Sequence, residues 1–199
     1  ECGPFDEKDM IIRSMIEAGK LTVDFRMVDS FFGNISYRSS DAIFISQTGS
    51  SLDELSGCID RCPVDGSSCA GVTASSEFSA HRRVYELKSC RAILHGHPKY
   101  SVIMSMICDK PDCVKRGLCY RECEEPRFVG GIPVVPGEVG TGRFGLCNTM
   151  PQALAGNRGA IVYGHGLFTT GEQDFREAFS GMLEIETQCI TEYELLIRR

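Results

Sequence analysis

The stretch AILHGHPKY, residues 92–100, places His95 and His97 directly after a run of apolar residues. Residues two apart on a strand point to the same face, so these two imidazoles would lie side by side where the strand ends. Neutral imidazoles on one face form a pair of metal ligands. The alternative is a solvated strand end with two surface histidines, and the rest of the chain has to distinguish the two interpretations.

The composition bounds the class of protein. The chain has 199 residues, of which 42% are hydrophobic and 24% charged, which is typical of one soluble domain spanning 1–199. A net charge of −6 argues against nucleic acid or an anionic membrane surface as a general partner. No apolar stretch approaches the ~20 residues that span a bilayer, and the acidic start ECGPFDEKDM is not a signal peptide. We therefore expect a cytoplasmic protein.

Helical and strand patterns alternate on both sides of the quoted stretch. Before it, the patterns predict helices at 6–20 and 75–88, a hairpin of 33–38 with 42–49, and a helix start at 50–55. From it onward, they predict strands at 91–98 and 158–168, helices at 100–107 and 171–198, and a short strand or loop at 132–142. This alternation predicts one α/β domain.

A third histidine has the same context as the first two. His165 ends the apolar run of 158–168, so three of the four histidines lie where strands emerge. Three imidazoles with one open position suit a catalytic zinc or a similar divalent ion. Glu77 opens the predicted helix at 75–88, where it is either a partner of the helix dipole or, beside a metal, a general base or ligand.

Small polar residues in turns form a candidate anion site. Ser75 and Ser76 precede a helix N-terminus, a place that favours anions. Asn34, Thr48 and Gly49 occupy other turns, although each is weak evidence alone because turns are rich in such residues.

Taken together and in order, these motifs resemble the class II aldolase/adducin family. The motifs are GNISYR (33–38), ISQTG (45–49), SSE (75–77) followed by His81, HGHP (95–98), and YGHG (163–166) with a long helix after it. The resemblance covers roughly residues 8–195 apart from two cysteine-rich segments. The ordered set is specific, although no single motif is.

The resemblance implies a fold and a site. The fold is a single three-layer α/β domain with a central, mainly antiparallel sheet flanked by helices, usually assembled as a homotetramer with sites between subunits. It implies Zn²⁺, or Mn²⁺, Co²⁺ or Fe²⁺, held by His95, His97 and His165. Glu77 matches the family acid/base, which also approaches the metal when substrate is absent, and His81 matches a structural position. The implied phosphate pocket comprises Asn34, Thr48, Gly49, Ser75 and Ser76.

The resemblance also implies a reaction. The expected function is a metal-dependent lyase that cleaves or forms a carbon–carbon bond in a small sugar phosphate, through an enediolate of dihydroxyacetone phosphate with an aldehyde as partner. A sugar-phosphate 4-epimerase and a methylthioribulose-phosphate-type dehydratase are alternatives with related chemistry. A non-enzymatic adducin-like binding protein, or a redox- or metal-sensing protein, is the alternative of another class.

Three positions depart from the family pattern. Phe31 and Phe32 in SFFGNIS stand in the stretch where the family commonly has a threonine that can contact phosphate, and Gln47 replaces a common proline. The family aldolases use a tyrosine to protonate the leaving aldehyde, and Tyr120 is the only nearby candidate, with an unrelated surface tyrosine as the alternative. Glu77 fits the aldolases and the dehydratase better than the epimerase, which has an aspartate there.

Eleven cysteines, an odd number, exclude complete disulfide pairing within one chain. Most fall in two segments, at about 56–70 and 108–126. Cys108, Cys113, Cys119 and Cys123 could hold a structural zinc or an iron–sulfur cluster, or form disulfides, including mixed pairs between the segments. The first segment could add ligands if the loops meet in space, and its cysteines are Cys58, Cys62 and Cys69.

Overall fold

One mixed sheet forms the centre of the fold. The computed structural model describes residues 2–29, 31–65, 73–108, 110, 112–137 and 142–198. The strands are β1 (Asn34–Arg38), β2 (Ala42–Ser46), β3 (Ile59–Pro63), β4 (Ala92–Gly96), β5 (Arg127–Val129), β6 (Ile132–Val135), β7 (Gly159–Val162) and β8 (Gly166–Gly171). In the described residues they form one eight-stranded sheet in the order β3-β2-β1-β4-β8-β7-β6-β5. All neighbours are antiparallel except β6 and β7, which are parallel.

Helices cover both faces of this sheet. They are α1 (Lys8–Asp24), α2 (Phe78–Leu87), α3 (Lys99–Met106), α4 (Cys119–Glu122), α5 (Leu146–Ala155) and α6 (Phe175–Ile197). Helices α2 and α5 pack together on one face, and α1, α3 and α6 lie on the other. Within the described residues, no helix combines the length and apolar character needed to cross a membrane.

The alternation of side chains along β4 creates the two cores. Ile93 packs in the core beneath α2 and α5, whereas Ala92 and Leu94 pack in the core beneath α1 and α6. Successive strand residues point to opposite faces, so a strand of buried apolar residues joins two helical layers. The predicted three-layer α/β architecture is therefore confirmed.

The predicted helix start at 50–55 is wrong, because these residues form turns. Leu52 and Leu55 are fully buried. The carbonyl oxygen of Leu52 lies so close to Gly19 of α1 that a Cβ there would approach it to 2.3 Å. Packing of the two leucines under α1 takes precedence over the local helix signal of the capping serine.

The predicted strand at 158–168 is two strands, β7 and β8, joined by a tight turn. Val162 pairs with Gly166, so His165 lies in the turn, where Gly164 adopts a φ of +62°. Both strands are buried, so their apolar run contains no alternation that would reveal the break. The sequence patterns did not predict β3, β5 or α5. Helix α5 contains Pro151, and proline argues against a helix interior.

The two cysteine-rich segments lie at opposite edges of the sheet. Cys62 is on β3, at one edge, and the segment containing Cys108–Cys123 leads into β5, at the other. Seven interstrand spacings separate these edges by roughly 30 Å. Cys58 and Cys62 therefore do not meet the four later cysteines within one chain, and Cys69 lies outside the described residues. All ten described cysteines are free thiols.

Candidate functional site

Three histidines converge where β4 meets the turn between β7 and β8. His95 is in β4 and pairs with Phe168 of β8, His97 follows β4, and His165 lies in the turn. The Nε2 atoms of His95 and His97 are 3.1 Å apart. One ligand nitrogen from each of the three histidines lies within 4.8 Å of the other two. The sheet thus brings together the three residues that the sequence predicted as metal ligands.

A buried carboxylate faces these imidazoles. Glu77 is the N-cap residue of α2, and its Oε1 lies 3.2 Å from His165 Nε2. Its Oε2 lies 3.7 Å from His95 Nε2 and accepts a hydrogen bond of 2.6 Å from Asn34 Nδ2. Asn34 on β1 is the register partner of His95 on β4, so strand pairing places the amide beside the carboxylate.

The electrostatics of this cluster favour neutral imidazoles and an ionised glutamate. Burial lowers the pKa of His95 to about 4, and burial with the neighbouring imidazoles lowers the pKa of His97 to about 3. Burial alone would raise the pKa of Glu77, yet that pKa lies well below its usual range because His95, His165 and Asn34 face the carboxylate. Neutral nitrogens with lone pairs are the form that binds metal.

Backbone groups of β8 orient the first histidine. The Nδ1 of His95 lies 3.2 Å from the carbonyl oxygen of Leu167. A carbonyl only accepts, so Nδ1 carries the proton and Nε2 presents its lone pair to the cluster. The ring also stacks on Phe168 at 4.0 Å between centroids. Neither contact was predicted from the sequence, because both depend on the register of β4 with β8.

Two glycines allow the histidines to approach. A Cβ on Gly33, which has a φ of +94°, would lie 2.5 Å from the carbonyl oxygen of His95. A Cβ on Gly166 would lie 2.7 Å from both His95 Cε1 and His97 Cδ2. Real side chains cannot occupy that space, so both positions require glycine for the cluster to close.

Replacing Gly166 with alanine should therefore disturb the site and the fold together. The new Cβ would also approach the Gly96 carbonyl oxygen to 2.4 Å. We expect a loss of about 1–3 kcal/mol in unfolding free energy, typical of overpacking, and a decrease in metal affinity of at least tenfold. Urea denaturation and metal titration measure the two effects. Gly156→Ala is the matched control, since nothing lies within 4 Å of its Cβ; equal behaviour of the two variants would contradict the prediction.

His81 belongs to a separate buried chain of hydrogen bonds. Its Nδ1 lies 2.7 Å from Ser36 Oγ, which lies 2.8 Å from the Tyr85 hydroxyl, and that hydroxyl donates to the Arg91 carbonyl oxygen. If His81 Nδ1 donates to Ser36 Oγ and Ser36 Oγ donates to the Tyr85 hydroxyl, the ring proton of His81 lies on Nδ1. The buried Nε2, which has no partner in the structure, is then a bare lone pair and not an unsatisfied N–H. This placement supports the structural role that the resemblance implies for His81.

His81 should make stability depend on pH. Burial lowers its pKa to about 4 from an ordinary value near 6.5. Because the folded pKa is the lower one, the stabilisation is complete above pH 6.5 and is lost as the pH falls towards 4. The loss of unfolding free energy from this one histidine is at most about 3 kcal/mol. Denaturant unfolding of metal-free protein between pH 7 and 4 should show a steeper loss for the wild type than for His81→Gln; parallel curves would contradict the assignment.

The predicted phosphate residues lie on two adjacent loops and beside Glu77. Gln47 forms an isolated bridge with Ala74, and Thr48 Oγ1 donates 2.9 Å to the Ala74 carbonyl oxygen. Gly49 is exposed with a φ of +73°, and Ser76 is exposed. Ser75 is buried, and its Oγ accepts a hydrogen bond of 3.3 Å from the Glu77 N–H. Asn34 lies beside Glu77 and donates a hydrogen bond to it.

The departures from the family pattern have distinct positions. Phe31 and Phe32 are exposed, and the Phe32 ring centroid lies 5.8 Å from that of His97, at the mouth of the site. Gln47 donates 2.8 Å to Asp60 on β3. Tyr120 on α4 lies with Arg121 against its ring, and its carbonyl oxygen accepts from the Gly137 N–H. These contacts tie Tyr120 to the second cysteine-rich segment.

The residues present fit a divalent ion. Three imidazoles converge, and the nearby carboxylate offers two oxygens. A buried amide oxygen, Asn34 Oδ1, also has no hydrogen-bond partner among the residues that the structure describes. Nitrogen ligands of this kind suit zinc and several other first-row metals.

Comparison with known proteins defines the class. The family described as "Class II Aldolase and Adducin N-terminal domain" matches residues 13–193, and the chain belongs to this family. Class II aldolases are metal-dependent, and the cluster of His95, His97 and His165 could hold a metal ion.

Individual relatives extend the comparison. An L-fuculose phosphate aldolase of Methanococcus maripaludis is 34% identical over 101 residues, which is 49% of this chain and 55% of that protein. The match thus spans about half the length of this curated relative. The crystal structure of L-fuculose-1-phosphate aldolase from Thermus thermophilus matches with a TM-score of 0.76 and 22% identity, covering 96% of this chain and 97% of that one. YgbL from Klebsiella pneumoniae, a candidate aldolase, epimerase or decarboxylase, has a TM-score of 0.71 and 26% identity over 94% and 90% of the two chains.

Proposed function

We propose that the chain is a divalent-metal-dependent lyase that breaks or forms a carbon–carbon bond in a small sugar phosphate. The observation that supports this most strongly is the buried Glu77 carboxylate, 3.2 Å from His165 and 3.7 Å from His95 in a cluster of three histidines. Such a constellation combines a metal site with an acid/base. The fuculose-phosphate aldolases among the related proteins favour the same class of reaction.

The proposed metal ligands are His95, His97 and His165, with Zn²⁺, Mn²⁺, Co²⁺ or Fe²⁺ as the ion. When bound, the ion supplies Lewis acidity that polarises the carbonyl group of the substrate. The neutral state of His95 and His97 supports this assignment, because protonated imidazoles cannot bind a cation.

Glu77 is the proposed acid/base. Its lowered pKa keeps the carboxylate ionised at neutral pH, which is the form that accepts a proton. The hydrogen bond from Asn34 to Oε2 holds the group in place and leaves Oε1 directed towards His165. In this proposal Oε1 takes the proton from the hydroxymethyl carbon of dihydroxyacetone phosphate, giving its enediolate, and returns a proton there in the cleavage direction.

The phosphate group is proposed to bind between two loops. Thr48 and Gly49 on one loop and Ser75 and Ser76 on the other are joined by the bridge from Gln47 to Ala74. The exposed hydroxyl of Ser76, just before α2, and the open backbone of Gly49 suit a phosphate dianion. Ser75 and Ser76 directly precede Glu77, so a phosphate held there would anchor the reacting end of the substrate near the carboxylate. Asn34 completes the proposed set from its position beside Glu77.

An epimerase or dehydratase acting on an intact ketose phosphate is the second candidate. An aldolase needs a group that donates a proton to the leaving aldehyde. Tyr120 is the donor predicted from the sequence, and it contacts Arg121 and Gly137 in the second cysteine-rich segment and its surroundings. The likeness to YgbL favours keeping this candidate. A binding or sensing protein has no need of Glu77 beside the histidines, so this geometry favours an enzyme.

Assembly and location are also part of the proposal. Phe31 and Phe32 are exposed, and Phe32 lies beside His97, which supports a subunit contact at the site, as in a homotetramer. The ten free thiols among the described cysteines support a reducing, cytoplasmic setting.

The test is hydrogen exchange of dihydroxyacetone phosphate in heavy water. Metal-loaded protein should exchange hydrogen at the hydroxymethyl carbon without any aldehyde, and metal-stripped protein should not. Unphosphorylated dihydroxyacetone is the matched control and should exchange far more slowly if the two loops bind phosphate. No exchange with the metal bound would overturn the aldolase proposal in favour of epimerisation or dehydration.

A further inference from the structure

Four cysteines of the second cysteine-rich segment line one cavity. Cys108 follows α3, Cys113 lies in the loop, Cys119 begins α4, and Cys123 follows α4. The cavity has a volume of about 350 Å³, and all four residues contribute to its wall. The chain brings these four thiols to one wall within sixteen residues. Such convergence needs a physical reason, because thiols alone attract one another only weakly.

The four thiols share one environment. Cys108, Cys113, Cys119 and Cys123 all line the same cavity, together with Arg127 and Tyr163. Four thiolates around one cavity would repel one another unless a cation lay between them. A metal centre is the usual solution for such a set in proteins.

The charge of the cavity wall suits a thiolate-bound metal centre. Four thiolates around a metal carry net negative charge, which basic side chains offset. The described wall has four basic residues against two acidic ones: Lys110, Lys115, Arg116, Arg127, Glu124 and Glu125. Lys110 pairs with Glu125, and Lys115 lies 3.7 Å from Glu124. Arg116 and Arg127 are the other two basic residues of this wall.

The spacing of the sulfurs favours a cluster over a single ion. Four Zn–S bonds of about 2.3 Å in a tetrahedron place the sulfurs about 3.8 Å apart. In the described part of the chain, the three histidines form the only group of three or more metal-binding side chains with ligand atoms within 4.8 Å of one another. The cysteine sulfurs are therefore spread more widely than one zinc requires. A four-iron cluster binds each thiolate at a separate corner, so a wider set around a roomy cavity suits it.

The cavity adjoins the turn that carries His165. Tyr163 and Met106 line it, and the Gly164 N–H donates 2.9 Å to Ser105 Oγ at the end of α3. Arg127 on β5 donates 2.7 Å to the carbonyl oxygens of both Ser105 and Ile107. These bonds join the two ends of the cysteine segment to the wall of the histidine site.

We propose that Cys108, Cys113, Cys119 and Cys123 bind an iron–sulfur cluster of the [4Fe–4S] type, which orders their segment beside the turn of His165. On assembly each thiol releases its proton to solvent as its sulfur binds an iron. The inorganic sulfide and the iron, which is two ferrous and two ferric ions for the oxidised cluster, come from outside the chain, so assembly itself changes no oxidation state. The proposal is independent of the chemistry proposed for the histidines.

Anaerobic reconstitution with equal amounts of a ferrous and a ferric salt, together with sulfide, tests the cluster in protein whose thiols were first reduced with dithiothreitol. The assay is performed in the His97→Ala background, so that iron at the histidines contributes little. We expect about four iron and four acid-labile sulfide per chain, absorption near 400 nm that bleaches on reduction, and a matching Mössbauer spectrum. Cys113→Ala and Cys119→Ser should each lower the sulfide content at least tenfold, while Cys58→Ala, at the opposite sheet edge, should not.

Circular dichroism of each variant establishes that it is folded, and zinc content is measured on the same samples. Sulfide content in the folded Cys113→Ala and Cys119→Ser variants equal to the wild type would overturn the proposal. Stoichiometric zinc, with no sulfide bound after anaerobic reconstitution, would also overturn it.

Discussion

Glu77→Gln should retain the bound metal and lose two to four orders of magnitude in hydrogen exchange of dihydroxyacetone phosphate, the usual contribution of a general acid/base. The glutamine oxygen can still accept the hydrogen bond that Asn34 donates to Glu77, so the geometry of the pocket should persist. The amide cannot take up a proton, and this loss is the whole expected effect. Exchange followed by NMR, with metal content measured on the same sample, separates chemistry from binding.

Glu86→Gln is the matched control for this prediction. Glu86 lies on the same helix, α2, but is exposed and pairs with Arg82 and Arg83. The Glu86→Gln variant should exchange hydrogen at the wild-type rate, because surface ion pairs contribute little to stability. A Glu77→Gln enzyme that exchanges at the wild-type rate would show that another group moves the proton.

His165→Ala and His97→Ala should each remove most of the bound divalent ion. Each deletes one of three imidazoles whose ligand nitrogens lie within 4.8 Å of one another. Changing outer-shell partners already weakens metal binding by 10–100-fold, so loss of a direct ligand should exceed about 100-fold. Metal content after dialysis and competition with a chelator measure the effect, and exchange activity should fall with it.

The remaining histidine offers the matched control. His81 is the fourth histidine of the chain and is bonded to Ser36 outside the cluster. His81→Gln should keep the metal even though it changes the pH dependence of stability. Full occupancy in His165→Ala and His97→Ala would show that the ion binds elsewhere.

The candidate site was predictable to the level of residue types and order. Strand ends at His95, His97 and His165 can be read from apolar runs, because burial imposes that pattern on the sequence. The hydrogen-bond partners of the site residues could not be predicted from the sequence. The hydrogen bond that Asn34 donates to Glu77, for example, depends on the register of β1 with β4, which pairs Asn34 with His95.

The cysteines show the same division at longer range. Their number and spacing indicate a metal site or disulfides, and local sequence goes no further. The strand order separates Cys62 on β3 from the later four by the width of the sheet. The tertiary structure also places Cys108, Cys113, Cys119 and Cys123 around one cavity.

The sequence by itself determined the alternation of helices and strands, the family resemblance and the choice of the three histidines and Glu77 as candidate site residues. These features follow from local periodicity and short motifs, which depend on neighbouring residues. Only the tertiary structure decided that residues 50–55 turn under α1, that His165 lies in a hairpin, and that Gly166 must lack a side chain. Each of these depends on atoms brought into contact from distant parts of the chain, and close packing leaves those atoms no other position.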